Sequence, residues 1–383
     1  MPSLSDVPLR LRVQFSLAVG LAGLLLLAGF LAGSLWWSPA DRFRWIVLAG
    51  LVQTYLLLIT LTNLPANHRQ SESILLAGLG YGNTLTLGRG QLMGMLAGFL
   101  AAPRPAGIYA WLPGCLYILA ALPDFIDGYL ARRFNQATRL GSILDLNVDS
   151  LGVLTTSLLA FAYGILPWWY LPIGLARYIF VAGIELRKRL GRPVHPLPFS
   201  YRRRGFASLS MGLMFVILFP PFQPPATWVG AAIFGLLFLG GFLVDWGYVS
   251  GGLPADFSNR FARWKELLLK DVPVALRVSM ILLGLPTLTR HLADPDLVWL
   301  AVAESLALAG LLLGILPRVS AIFAVILVGF TQTIAPLDGL QLLSIPVLIG
   351  LIVLGGGRWS LFPIDEKLVY RQTGEQVGGE AGR

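Results

Sequence analysis

Cysteine is nearly missing from this sequence: Cys115 stands alone, which excludes an internal disulfide and any CxxC redox or zinc motif. Its apolar surroundings predict a packing role. Histidine is almost as scarce, and His68, His195 and His291 are scattered without ligand spacing, so no metal or catalytic role is read into them. Charge is short as well. Only 13% of the 383 residues are charged and 56% are apolar, against about 25% and 45 to 50% in ordinary soluble domains. A soluble enzyme is excluded. What the chain has instead is long apolar runs, such as Phe15–Trp37 and Trp228–Val244, of roughly the 20-residue length that crosses a bilayer. Mean hydropathy is +0.71. The net charge of +9 reads as loop charge that sets topology, so no nucleic-acid partner is expected.

Twelve spans are expected, at about 14–36, 44–64, 84–102, 107–129, 142–164, 168–187, 205–221, 226–248, 273–290, 298–315, 319–336 and 340–356. The first is read as a retained helix rather than a signal peptide, because no small-residue cleavage site follows a short apolar core. With the N-terminus in the cytoplasm, 22 of the 29 Lys and Arg fall in inside segments, 4 fall in outside loops, and Arg89, Arg177 and Arg277 lie within spans. That asymmetry is the positive-inside pattern of an integral, multi-pass membrane protein. Trp36, Trp37, Trp168, Trp169 and Tyr170 are expected in an outer interfacial belt.

The informative stretch is Asp124-Phe-Ile-Asp127-Gly128-Tyr-Leu-Ala131-Arg132, eight further residues, then Gly141-Ser-Ile-Leu-Asp145-Leu-Asn-Val-Asp149. Asp124 and Asp127 are three apart near the end of one expected helix, and Asp145 and Asp149 four apart near the start of the next. Each pair therefore shares a helix face. A short basic connection makes the two helices antiparallel neighbours and points four carboxylates at one volume. Bare, they would repel; oxygen ligands without His or Cys select a hard cation such as Mg2+ or Mn2+. Any one of these aspartates is equally well read as a helix cap or a partner of Arg132, Arg133 or Arg139. Four at helix-face spacing beside membrane spans point to function.

This pattern resembles the signature of the CDP-alcohol phosphotransferase family, D-x2-D-G-x2-A-R-x8-G-x3-D-x3-D, with every fixed position present. Upstream, Asn83-x2-Thr86-x2-Arg89 is similar to the opening of the first core helix in the phosphatidylglycerophosphate-synthase-like branch. The resemblance covers about residues 80–250. It implies an all-α membrane fold with a six-helix core whose site opens to the cytoplasmic side, where a CDP-linked lipid donor, CDP-diacylglycerol being favoured, meets an alcohol or phospho-alcohol acceptor. By the same resemblance, Asp124, Asp127, Asp145 and Asp149 hold two divalent ions and Asp149 is the general base. Asn83, Thr86, Arg89, Gly128, Ala131, Arg132 and Gly141 would face the donor nucleotide and phosphates. Arg177 lies mid-span, where a charge costs at least ~2.5 kcal/mol. It sits in a run similar to the fourth core helix of branches with phosphorylated acceptors, although Tyr178 stands where that branch commonly has an acidic residue. Arg177 is thus an acceptor-binding residue or a partner of Glu185 or a carbonyl. Arg202, Arg203 and Arg204 are basic residues beside the expected acceptor pocket, or a patch for anionic headgroups.

The expected organisation is an N-terminal two-helix extension at 1–73, the six-helix core at 74–250, an amphipathic interfacial linker at 251–272, a four-helix module at 273–365 and a disordered tail at 366–383. Gly314-x-x-x-Arg318 and the later Gly357-Arg358-Trp359-Ser360 resemble the DoxX-type four-helix membrane module, read here as an accessory or dimerising element. Arg277 and Glu304 are expected to be intramembrane partners or packing residues. Two other classes stay open on the sequence, a membrane transporter and a noncatalytic membrane scaffold.

Overall fold

A computed structural model describes residues 7–69, 72, 74–123, 134, 136–197, 213–214, 216–254 and 270–362. Among them the fold is all-α: α1 Leu9–Ala32, α2 Pro39–Thr62, α3 Tyr81–Gly98, α4 Leu112–Ala121, α5 Arg139–Ala162, α6 Leu171–Arg189, α7 Ala226–Ser250, α8 Val272–Ala293, α9 Val298–Leu313, α10 Pro317–Ile334 and α11 Gly339–Leu354. Eleven of the twelve expected spans coincide with these helices. The twelfth, 205–221, lies mostly outside the described residues, as do the bulk of the amphipathic linker and the whole tail. Eight of the helical segments are long and apolar enough to cross a bilayer. Leu17, Leu24 and Leu31 of α1, or Leu282 of α8, are more than half exposed, a surface that lipid covers and water would not. This is a polytopic membrane protein.

The helix ends follow local chemistry. Ser38 accepts from the Asp41 backbone N–H, with Pro39 opening α2. Thr138 caps α5 by accepting from Gly141. Asp338 and Gln341 form a reciprocal capping box at the start of α11.

The chain divides into two compact units. In the first, which runs to Arg177 and adds Ile217–Pro220, α2 packs along α3 through Gly90, Gly94 and Gly98. A methyl on Gly94 would meet Gln53 Cγ at 2.5 Å, and one on Gly98 would meet the Trp45 backbone oxygen at 2.8 Å. Without a hydrophobic force between helices in lipid, such close backbone approach supplies the packing. The α2–α3 seam is completed by Trp37, Trp45 and Phe99, whose rings lie 5.1–6.4 Å apart. Below it, Val7, Leu11, Leu64, Leu79, Leu140 and Leu144 form a buried cluster that ties α1 and α2 to α5.

The second unit contains a four-helix bundle, α8 to α11, in which each helix contacts the next and α11 returns to α8. Met280, Leu300, Leu308, Leu311, Leu327 and Leu348 are among the residues of its core. Arg277, 5% exposed, is the surprise. It does not meet Glu304. Its Nε donates to Leu311 O at 2.6 Å, Nη2 to Leu312 O at 2.6 Å, and Nη1 to Gly356 O and Arg358 O at 3.1 and 3.2 Å. One guanidinium thus satisfies carbonyls at the end of α9 and fastens the Gly-Gly-Arg-Trp segment across the bundle. Glu304 instead faces His291, whose Nδ1 lies 3.0 Å from Oε2.

Three smaller expectations are corrected. Cys115 is exposed on α4 rather than packed, because it lies on the outward face of that helix. Trp37 and Tyr170 leave the expected belt: they are 8% and 1% exposed, and Trp37 Nε1 donates to Pro103 O at 2.9 Å. Trp168, at 72% exposure, stays outward.

Candidate active site

The site grows from α3 and α5 of the first unit. The i, i+4 spacing brings Asp145 and Asp149 to one face of α5, and that face looks at Arg89 on α3. Arg89 Nη2 donates to Asp149 Oδ1 at 2.8 Å and Nη1 to Asp145 Oδ1 at 3.2 Å. A third bond, Nε to Ala120 O at 3.1 Å, ties the same guanidinium to the end of α4. The arginine side chain is 3% exposed, whereas Asp145 and Asp149 are 48% and 31% exposed. A buried cation thus underlies two carboxylates that are open on their far side. These are charge-assisted bonds, the kind strong enough to keep an arginine at this depth.

A polar brace holds the start of α3 against the start of α5. Asn83 Nδ2 donates to Thr138 Oγ1 at 3.0 Å and to Asn67 Oδ1 at 3.1 Å. Asn67 Nδ2 in turn donates to Gly78 O, and the Arg139 backbone N–H donates to His68 O at 3.0 Å. A methyl on Gly141 would run into Asn83 Oδ1, so the glycine at this position lets α5 approach the brace. Thr86, one turn on, donates back to Gly82 O at 3.1 Å.

Of the residues singled out in the sequence, Asn83, Thr86, Arg89, Gly141, Asp145 and Asp149 therefore come together on two helices. Asn83 and Thr86 are 4% and 3% exposed and bind protein groups there. Arg177 lies on α6, half-buried, and the ion pair of Glu185 is with Arg189 at 3.3 Å. Asp124, Asp127, Gly128, Ala131, Arg132, Arg202, Arg203 and Arg204 lie outside the described residues. Among the described residues no three carboxylates, histidines or cysteines converge as a metal site. Asp145 and Asp149 fit as part of one: they are oxygen donors at helix-face spacing, partly open and with no competing soft ligand, which suits a hard divalent ion. Sequence reading missed Asn67 and Thr138. Thr138 carried a signal, a threonine just ahead of an apolar periodic run; Asn67 carried none, since its partners are far along the chain.

Residues 80–239 match the family model described as CDP-alcohol phosphatidyltransferase. A Cereibacter sphaeroides protein named CDP-diacylglycerol--glycerol-3-phosphate 3-phosphatidyltransferase is 40% identical over 103 residues, which is 24% of this chain and 46% of that protein. A Mycobacterium bovis protein named putative cardiolipin synthase is 32% identical over 114 residues, 28% of this chain and 54% of the relative. A Sodalis glossinidius protein with the same name as the first is 36% identical over 83 residues, 20% of this chain and 45% of its own. The chain spans about half the length of the curated relatives it matches. No solved structure matches it. The paired aspartates on α5, the arginine beneath them and the family match lie in one stretch, and residues 80–239 of this chain are a CDP-alcohol phosphatidyltransferase family domain.

Proposed function

We propose that the protein transfers a phosphatidyl group from CDP-diacylglycerol to the hydroxyl of an alcohol or phospho-alcohol, releasing CMP. The observation that carries this reading is the open pair Asp145 and Asp149 held from below by Arg89. In the reaction the acceptor oxygen forms a bond to the phosphorus, the bond from phosphorus to the CMP oxygen breaks, and the acceptor proton passes to Asp149. Asp124, Asp127, Asp145 and Asp149 would hold one or two Mg2+ or Mn2+ ions, which when bound neutralise the diphosphate and the charge that develops on CMP. Beside the donor contact that its motif implies, Arg89 would have a positioning task. Through its bonds to Asp145 and Asp149 it positions the two α5 carboxylates and offsets part of their repulsion.

A carboxylate is a weak base for an alcohol, so most of the acceleration comes from orientation and charge stabilisation. Gly128, Ala131 and Arg132 would lie toward the donor, and Arg177 with Arg202, Arg203 and Arg204 toward the acceptor. The excess of Lys and Arg in alternate loops, 22 against 4, supports a cytoplasmic opening.

The test is CMP release by the purified chain given CDP-diacylglycerol, Mg2+ or Mn2+ and, in turn, glycerol 3-phosphate, inositol phosphate and serine. Release that needs both metal and acceptor is expected. Asp149→Asn should lower it by more than about 10²-fold while the variant still binds the donor. No metal-dependent release with any acceptor, or full activity in Asp149→Asn, overturns the proposal or the base assignment respectively.

A further inference from the structure

A second polar site lies inside the α8–α11 bundle. A cavity of about 40 Å³ is walled on its apolar side by Met280, Leu283, Leu308 and Val328. Its polar lining is Thr287, Glu304, Thr331, Gln341 and Ser344. By the measure that one water needs roughly 10–15 Å³ of such space, it has room for about three waters or for the hydroxyl end and first few carbons of an alcohol.

The hydrogen-bonding inventory of the polar lining selects its guest. Ser344 and Thr331 have spent their protons on Gln341 O at 2.7 Å and Leu327 O at 3.0 Å, so each offers only lone pairs. The Glu304 carboxyl faces His291 at 3.0–3.1 Å and presents more oxygen. Thr287, 8% exposed, has a buried Oγ1 with no partner at all, a costly state for a hydroxyl in an apolar setting. The lining thus offers acceptor oxygens from Ser344, Thr331 and Glu304, one unsatisfied hydroxyl on Thr287, and the amide of Gln341, whose Oε1 already accepts from the Asp338 backbone N–H. A phosphate or carboxylate would meet the Glu304 carboxyl there, whereas a hydroxyl both donates and accepts and so suits a lining of both kinds.

We propose that this cavity binds the hydroxyl end of a neutral amphiphilic alcohol, donating to the cluster and bonded by Thr287, with its first carbons against Met280, Leu283 and Leu308. The site belongs to the second unit and its test reads binding, so it stands or falls apart from the phosphatidyl-transfer reading.

The purified full-length protein is photolabelled with an octan-1-ol that carries a diazirine on its third carbon, and the adducts are mapped by mass spectrometry. Adducts are expected on cavity residues of α8–α11, competed by octan-1-ol and not by octane or octanoate. Thr287→Val keeps the side-chain shape and removes the hydroxyl, and should cut labelling about fivefold, the weight of roughly one hydrogen bond, at unchanged Tm. Adducts spread over the lipid-facing Leu282, Leu306 and Leu312 would overturn the proposal. So would competition by octane as strong as by octan-1-ol, or equal labelling of the valine variant.

Discussion

Two arginines are buried in helices to almost the same extent, and they do different things. Arg89 and Arg277 are 3% and 5% exposed. Arg89 turns two of its nitrogens to carboxylates that are 48% and 31% exposed, while Arg277 donates to the backbone carbonyls of Leu311, Leu312, Gly356, Arg358 and Trp359. An intramembrane charge is usually read as functional. The contrast lies in the partners: the bonds of Arg277 given above all go to backbone carbonyls, whereas Arg89 also meets two carboxylates that keep partial exposure.

Removing each arginine breaks the comparison in a different observable. Arg89→Gln strips the cation from beneath Asp145 and Asp149, and the carboxylates lose their shared anchor. A displacement on the order of 1 Å costs about 10²-fold in rate, so CMP release should fall by at least that factor. The fold should survive, because α2–α3 packing through Gly94 and Gly98 is untouched. Arg277→Met should do the reverse. The carbonyl of Leu312 loses the guanidinium that satisfies it, and a buried polar group left unsatisfied costs about 1–3 kcal/mol, visible as a lower Tm, while CMP release measured below the transition stays within about twofold. Equal loss of activity in both variants would erase the distinction.

The same contrast explains what could be read in advance. Apolar periodicity placed eleven helices, since each span must satisfy its own backbone in lipid and so declares itself locally. The face shared by Asp145 and Asp149 was equally legible, because four residues is one turn. Arg89 was legible only as part of a motif, and its bonds to Asp145 and Asp149 were not: which group a guanidinium meets depends on how α3 lies against α5. Arg277 and Glu304 were open as partners of each other or as packing residues; one went to carbonyls and the other to His291, a residue whose isolation in sequence had hidden it. Asn67 and Thr138 were invisible for the same reason, joining through Asn83 across 16 and 55 residues.

Arg290 and Asp338 put the Arg–Asp pairing of the active site in water, and so calibrate what burial adds. Their contact, at 2.6 Å, is shorter than either bond of Arg89, but the side chains are 55% and 35% exposed. Exposed pairs contribute about 0–1 kcal/mol, so Arg290→Ala should change Tm little and activity not at all. Asp338 has a second role as the cap of α11. The Gln341 backbone N–H, against a smaller opposing effect of burial, and then Arg290, hold its carboxyl below the usual carboxylate range. A group with a lowered folded-state pKa stabilises above its unfolded value, near 3.9, and loses that contribution as pH falls through the folded one. Asp338→Asn, which keeps the capping oxygen and drops the charge, should therefore flatten the acid side of the stability profile below about pH 4. Its loss at pH 7 should match the acid-side drop that it removes and stay small, because the pair is exposed and Asn caps about as well as Asp. A steep loss at neutral pH would mean that the exposed pair carries the weight assigned here to burial alone.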